Sequence, residues 1–304
     1  MHTLEVEPQL LAQTIAQTYY PNAVRLTEGF VNVVALVDER FVIKVPQDTS
    51  PKYREALDHE RRALECMAYV DMSPFRLPQL VSHRTQPAHL TVTYVPGQII
   101  NRQELSGLTQ KQRQTLGGDL GHYIARQVNE ANLLQSSHHL LPDLDDDWPS
   151  AFQKYVGQFF HPSYPTLSSL TEKLYSRWLH HRYIGTTVLY FIHGDLTLGN
   201  MPLTDDYRLV GVIDFARFHH GEIAEELSCI AGMQQDDLLE ACIAELQQNG
   251  IDADIEDVRL WRALKDLHVL PWWILAGDTS SPTFQNAREV VVRRYPDLDW
   301  SELF

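Results

Sequence analysis

The sequence predicts an α+β chain of two unequal lobes, a small N-terminal lobe on an antiparallel sheet (1–96) and a larger, mainly helical lobe after it (97–304). Three observations predict it. Residues 23–46 fall into three successive strand-like runs, "AVRLTEG", "FVNVVALVD" and "ERFVIKVP", rich in the β-branched residues that suit a pleated sheet. The dipeptide Pro96-Gly97 punctuates the chain, as such pairs do at breaks between elements. Beyond it the pattern is mostly helical, interrupted only by "VLYFIH" and "RLVGVID".

Taken in order, residues 2–19 read as an amphipathic helix stopped by Pro21, since proline removes a backbone donor and clashes with the preceding turn. "DER" (38–40) is the connection of a hairpin between the second and third strands. A helix from about Lys52 to Val70 follows, then short strands around Leu80 and in "HLTVTYV". In the second lobe "VLYFI" is a buried strand that delivers His193-Gly194-Asp195 into a loop, and "LVGVI" is a second apolar strand that delivers Asp214. No fixed-period repeat or low-complexity tract is present.

Composition narrows the function. A chain of 304 residues, 44% apolar and 21% charged, is ordinary globular material with enough residues for a core. Its formal net charge of -15 argues against nucleic acid or an anionic membrane as partner and favours a cationic small molecule. Cys66, Cys229 and Cys242 are an odd number without C-x-x-C spacing, which fits buried thiols in a reducing compartment. The N-terminus carries acids and no basic segment leading into an apolar run, and no stretch approaches eighteen uncharged apolar residues. The expectation is a cytoplasmic protein without a spanning helix.

The chemistry-bearing stretch is "HGDLTLGN" (193–200). It follows the catalytic-loop pattern H-R-D-L-x-x-x-N in register at His193, Asp195, Leu196 and Asn200, lacking only the arginine. Asp214-Phe215-Ala216 stands where protein kinases carry D-F-G, and "FVIK" ends in Lys44 as V-A-I-K does. Phosphoryl transfer spreads negative charge over the moving group, so its site supplies cations and holds the nucleophile in line. On this pattern Asn200 and Asp214 offer hard oxygens to Mg²⁺. Asp195 accepts the substrate hydroxyl proton, and Lys44 neutralises the non-transferred phosphates of ATP or GTP.

The helix after Lys44 supplies an independent signal. Tyr53, Leu57, Leu64 and Met67 form one apolar stripe, and Glu60 lies on it. An acid within an apolar stripe is costly unless it meets a cation. Lys44 is the expected partner, whereas Glu55 and Glu65 are rotated off that face.

These motifs resemble the aminoglycoside phosphotransferase family, the small-molecule branch of the protein-kinase-like fold, which carries H-G-D-x-x-x-x-N followed by I-D-F. "HGDLTLGN" and "VIDFA" match that pattern residue by residue, "GFVNVVALVDERFVIKVP" is similar to the N-lobe run of the branch modifying the 2'' hydroxyl, and "YVPGQII" resembles the segment after the hinge. The resemblance spans about residues 25–230. It implies a bilobal kinase-like fold, an ATP- or GTP- and Mg²⁺-dependent transfer to a small-molecule hydroxyl, and a link to antibiotic resistance. It places Gly29 and Asn32 near the nucleotide and Thr93 to Val95 at the hinge that reads its base. Where the family has D-P-x-x-D-L-A this chain reads "GEIAEELSCI", with Glu226 in place of an aspartate. Choline, homoserine or a macrolide are alternative acceptors.

Other readings are weighed on the same residues. A metallophosphoesterase needs D-x-H upstream and histidine after its G-N, but Asp266-Leu267-His268 lies downstream and Met201 follows Asn200. A silent nucleotide-binding module would have lost one of the four charged or amide groups, and all are present. A protein kinase would show A-P-E after its metal loop, and none is found. His193 reads as a backbone-bonding residue. The pairs His138-His139, His180-His181 and His219-His220 read as solvated surface. The acids of "DLDDDW" (143–148) and Glu222, Glu225 and Glu226 either receive a polyamine or occupy a loop and the first turn of a helix, where the dipole favours them. Trp272 and Trp273 read as core.

Overall fold

The computed structural model describes residues 8–19, 24–28, 32–47, 51–133, 164–184, 189–275 and 279–301. Its contacts gather the chain into two compact units. The first comprises Met1–Asp143, Phe191–His219 and Gln235–Ile251, the second Leu144–Tyr190, His220–Gln234 and Asp252–Phe304. Residues 94–97, where the sequence predicts passage from one lobe to the next, lie inside the first unit.

In the first unit, strands β1 (Val24–Glu28), β2 (Asn32–Val37), β3 (Phe41–Pro46), β4 (Leu80–Thr85) and β5 (Ala88–Thr93) form an antiparallel sheet in the order β1-β2-β3-β5-β4. The predicted hairpin at 38–40 is present. Asp38 and Glu39 sit at φ 57° and 49°, the left-handed backbone of the turns whose twist matches a hairpin. Helix α1 (Pro8–Tyr19) covers one face. Ala12, Ile15 and Ala16 pack there against Val33, Ala35, Val37, Ile43 and Val45. Because side chains alternate across a strand, burying Ile43 and Val45 on that side turns Lys44 to the other.

Helix α2 (Pro51–Met67) lies on Lys44's side. Leu57, Leu64 and Met67 are buried as the stripe predicts, and Glu60 is buried among them. Helix α3 (Arg102–Gly107) opens with a capping box between Asn101 and Glu104, and α4 (Gln110–Leu133) follows.

The apolar run "LVGVI" corrects an expectation: it is not a regular strand. Residues 209–213 are extended and make only isolated bridges, Leu203 with Leu209 and Arg76 with Gly211. Their neighbours are loop segments: Arg76 N donates to Val210 O at 2.9 Å and Val212 N to Arg76 O at 3.3 Å. At Gly211 a Cβ would stand 1.9 Å from the Arg76 carbonyl oxygen, so this crossing needs glycine. Gly211→Ala is expected to destabilise the fold by about 1–3 kcal/mol, the usual cost of overpacking, measurable as a lower denaturant midpoint.

The second unit contains α5 (Pro165–Ile184), the first residue of β6 (Tyr190–Ile192), α6 (Ile223–Ala231), α8 (Ile255–Leu275) and α9 (Pro282–Arg294); α7 (Asp236–Gln248) belongs to the first. Glu225 and Glu226 fall in the first turn of α6 and are buried, which bears out the helix-turn reading. Within this unit Glu225 Oε1 is 3.9 Å from Lys265 Nζ, and Glu222 accepts the Trp261 indole N–H at 2.7 Å. The side chains of Trp272 and Trp273, the "DLDDDW" acids and His138-His139 lie outside the described residues. All three cysteines are buried and none is in a disulfide, as expected. Among the described residues, no helix is long and apolar enough to cross a membrane.

Candidate active site

The first unit brings four sequence-distant stretches together around Lys44. Its Nζ donates to Glu60 Oε1 and Oε2 at 2.7 and 2.8 Å and to Asp214 Oδ1 at 2.9 Å. The Lys44 side chain is 10% exposed and that of Glu60 1%, whereas that of Asp214 is 42% exposed. The pairing predicted from the apolar stripe is therefore present, and the lysine also reaches the I-D-F aspartate. Burial opposes the ammonium charge, but the two carboxylates outweigh it and raise the Lys44 pKa, so it stays protonated. For Asp214 burial pushes upward, yet Lys44 and the Ala216 backbone N–H bring the carboxyl below its ordinary range.

Asp214 sits at φ 69° and ψ 73°. A non-glycine residue in this left-handed region costs about 1–3 kcal/mol and persists only where its surroundings over-determine it. Here a 3₁₀ turn, Phe215–Arg217, follows at once. The Phe215 backbone N–H at the start of this turn favours the Glu60 carboxylate.

The loop after β6 (Tyr190–Ile192) carries Asp195 and Asn200. Asn200 Nδ2 donates to Asp195 O at 2.8 Å and to Asp195 Oδ2 at 3.1 Å. The carboxamide thereby fixes the acid and turns its own oxygen away from it. One peptide joins this loop to the Asp214 segment: Ile213 N donates to Asn200 O at 3.0 Å, and Ile213 O accepts from His193 Nε2 at 3.1 Å. The Asp195 N–H donates to His193 Nδ1 at 3.3 Å. With Nδ1 accepting and Nε2 donating, His193 is a neutral single tautomer, matching its reading as a backbone-bonding residue.

Burial drives the His193 pKa from its ordinary 6.5 to about 4. Between those values the unfolded imidazole takes up a proton that the folded one refuses, so stability falls as pH falls through that window. Denaturant unfolding across pH 4–7 is expected to show this slope, and His193→Gln to flatten it.

The glycine of H-G-D has a steric reason. Gly194 lies at φ +75°, and a Cβ there would stand 2.5 Å from Arg217 O and 2.9 Å from His219 Cε1. Any side chain at this position, including the arginine of protein kinases, would collide with the chain that follows Asp214. His219 corrects the solvated-surface reading of its pair: it is buried, with Nδ1 2.7 Å from Arg217 O, because it closes the turn over Gly194.

The remaining predicted residues lie on the sheet. Asn32 shares Lys44's face, since Val34 is the partner of Lys44 across β2 and β3 and Asn32 is two residues along. It is buried, and its Oδ1 has no hydrogen-bond partner among the described residues. Thr93, paired with Phe41, is on the opposite face and accepts the Gln79 N–H at 2.8 Å. Val95 is buried beyond the strand. Gly29 lies outside the described residues.

Hard oxygens such as those of Asn200 and Asp214 suit Mg²⁺, which binds through one or two such ligands plus substrate phosphates. Among the described residues no group of three His, Cys, Asp or Glu is placed to hold a metal. Two structural features escape sequence reasoning. Gly211 carries no motif, and His59, beside Glu60, has no periodic signal that marks it.

A strand lysine, a helix glutamate and two polar loops held together in this way define a kinase-like phosphotransferase. The phosphotransferase enzyme family matches residues 22–267, and the chain belongs to it; it is a small-molecule kinase acting on a hydroxyl. Solved structures agree in fold. The chain is similar to wild-type aminoglycoside 2'-phosphotransferase-IIIa in its GDP complex, at 18% identity and TM-score 0.76, covering 95% of this chain and 99% of that one. It is similar to the streptomycin-ATP-APH(2")-IIa ternary complex at 16% identity and TM-score 0.68, with 93% and 97% covered. The choline kinase LicA from Streptococcus pneumoniae matches at 11% identity and TM-score 0.67, with 95% and 98% covered. No curated protein matches in sequence.

Proposed function

We propose that this kinase transfers the γ-phosphoryl group of ATP or GTP to a hydroxyl of a small cationic molecule in the cytoplasm, with an aminoglycoside as the leading candidate and Mg²⁺ as the metal. The observation that carries the reading is the buried Lys44 held at once by Glu60 and Asp214, which ties the strand cation and the I-D-F aspartate to one place. Asp195 orients the acceptor hydroxyl and takes its proton. Its carboxylate is held for this by Asn200 Nδ2 and by the loop that His193 ties to Ile213. Lys44, aimed by Glu60, neutralises the non-transferred phosphates. Asn200 and Asp214 would hold Mg²⁺, which would supply positive charge to offset that of the phosphates.

Asn32, with a buried carboxamide oxygen on Lys44's face, and Gly29 are assigned to the nucleotide, and the backbone of Thr93 to Val95 to its base. The lobes 1–96 and 97–304 belong to the same proposal. The net charge of -15 supports an amine acceptor and disfavours nucleic acid and anionic membranes; aminoglycosides and choline are both cationic alcohols. A kinase of this kind in a bacterium would confer antibiotic resistance.

The test is a panel of aminoglycosides, choline, homoserine and macrolides incubated with ATP or GTP and Mg²⁺, read as nucleoside diphosphate release. Release with a cationic alcohol well above the acceptor-free background supports the proposal. Release only with homoserine or another acceptor lacking net positive charge overturns the cationic substrate.

A further inference from the structure

The contacts of α2 with the turn after Asp214 reach beyond the Lys44 pair. Glu60 receives the Phe215 N–H at the start of that turn. His59, the residue before it, stands with Nε2 2.8 Å from the Phe218 carbonyl oxygen at the other end. A carbonyl only accepts, so Nε2 carries the proton and donates. Consecutive helical residues point about 100° apart, which lets Glu60 face the lysine while His59 reaches along the flank. The helix thus grips the 3₁₀ turn Phe215–Arg217 at both ends, and this turn begins on the left-handed Asp214.

We propose that His59 is a positioning residue for Asp214: by holding the Phe218 carbonyl it fixes the turn that keeps the Asp214 carboxylate aimed at the metal site. The inference rests on the reading of Asp214 as a Mg²⁺ ligand. The Lys44 ammonium donates to Glu60 and Asp214, not to His59. The effect of His59 therefore falls on metal-dependent nucleotide binding before it falls on the acceptor. A histidine serving only to pack or cap α2 would instead lower stability and leave that binding unchanged.

The experiment is titration calorimetry of ATP or GTP with and without Mg²⁺ on the full chain, with thermal unfolding alongside, for His59→Ala, His59→Gln and Asp214→Asn. Outer partners of metal ligands change metal affinity by about 10–100-fold when removed, and a loss of that size in the Mg²⁺-dependent gain in affinity is expected for His59→Ala. Binding without Mg²⁺ stays near the parent, and His59→Gln, which keeps an N–H donor on a side chain of similar reach, recovers most of the gain. The proposal is overturned if Asp214→Asn abolishes the Mg²⁺-dependent gain while His59→Ala keeps it, or if His59→Gln falls as far as His59→Ala. If Asp214→Asn itself keeps the gain, the reading of Asp214 fails and the positioning role with it. Should His59→Ala not fold, His59→Asn, too short to reach the carbonyl, takes its place.

Discussion

Asp195→Ala is expected to lower kcat by about 10²–10⁴-fold, the usual contribution of a positioned general base, while nucleotide affinity stays close to the parent. Asp195 sits partly exposed at the end of the loop after β6, where an acceptor can reach it. Its Oδ2 accepts from Asn200 Nδ2 at 3.1 Å. Removing the carboxylate takes away the proton acceptor and frees one Asn200 contact, but the backbone bonds from Thr197 N and Asn200 Nδ2 to Asp195 O, both 2.8 Å, keep the loop in place. Steady-state kinetics with calorimetric nucleotide binding separates the two effects. Turnover within a few-fold of the parent would remove Asp195 from the reaction.

Lys44→Met is the second large effect. The methionine fills much of the lysine volume, so the change reports charge more than cavity. Breaking a buried ion pair from one side costs about 3–5 kcal/mol because the remaining charge stays uncompensated. Here that charge is Glu60, buried and left with the Phe215 N–H. The sign of the pH dependence follows. Burial pushes the Glu60 carboxyl above its ordinary 4.5, and without the lysine nothing of opposite charge opposes it. Folded Glu60 then holds a proton that the unfolded chain has released, so the variant loses stability as pH rises from about that value. In the parent the same Glu60 slope is smaller because Lys44 opposes it, and the raised Lys44 pKa adds stability that is fully present below the ordinary 10.5 and is lost only above it. Denaturant unfolding over a pH series distinguishes the two, and a variant as stable as the parent at neutral pH would show that the pair carries no stability.

The parts of the site legible in the sequence are those with a local signature. "HGDLTLGN" and "VIDFA" have fixed spacing because a short loop must present its acid and amide from one backbone stretch, and the structure joins them through the Ile213 peptide. The Lys44–Glu60 contact was legible for another reason: a charge within a helical apolar stripe has few places to go. His59 and Gly211 gave no such signal. Histidine on a helix flank and glycine in an apolar run are common, and their roles come from Phe218 and Arg76, respectively 159 and 135 positions away in sequence. The extended run 209–213 shows the same limit, since β-rich composition promises a strand only where another strand is alongside.

By itself the sequence determined most of the element types, the hairpin at 38–40 and the buried thiols, and it singled out the acids, amide and lysine of the proposed site, because each depends on periodicity or on spacing within a few residues. Only the tertiary structure decided that Lys44 is shared between Glu60 and Asp214, that Gly194 must lack a side chain beneath Arg217 and His219, and that α2 holds the turn after Asp214 at both ends. Those are contacts between stretches far apart along the chain, and their geometry is fixed by how the packed elements approach rather than by any residue's own preference.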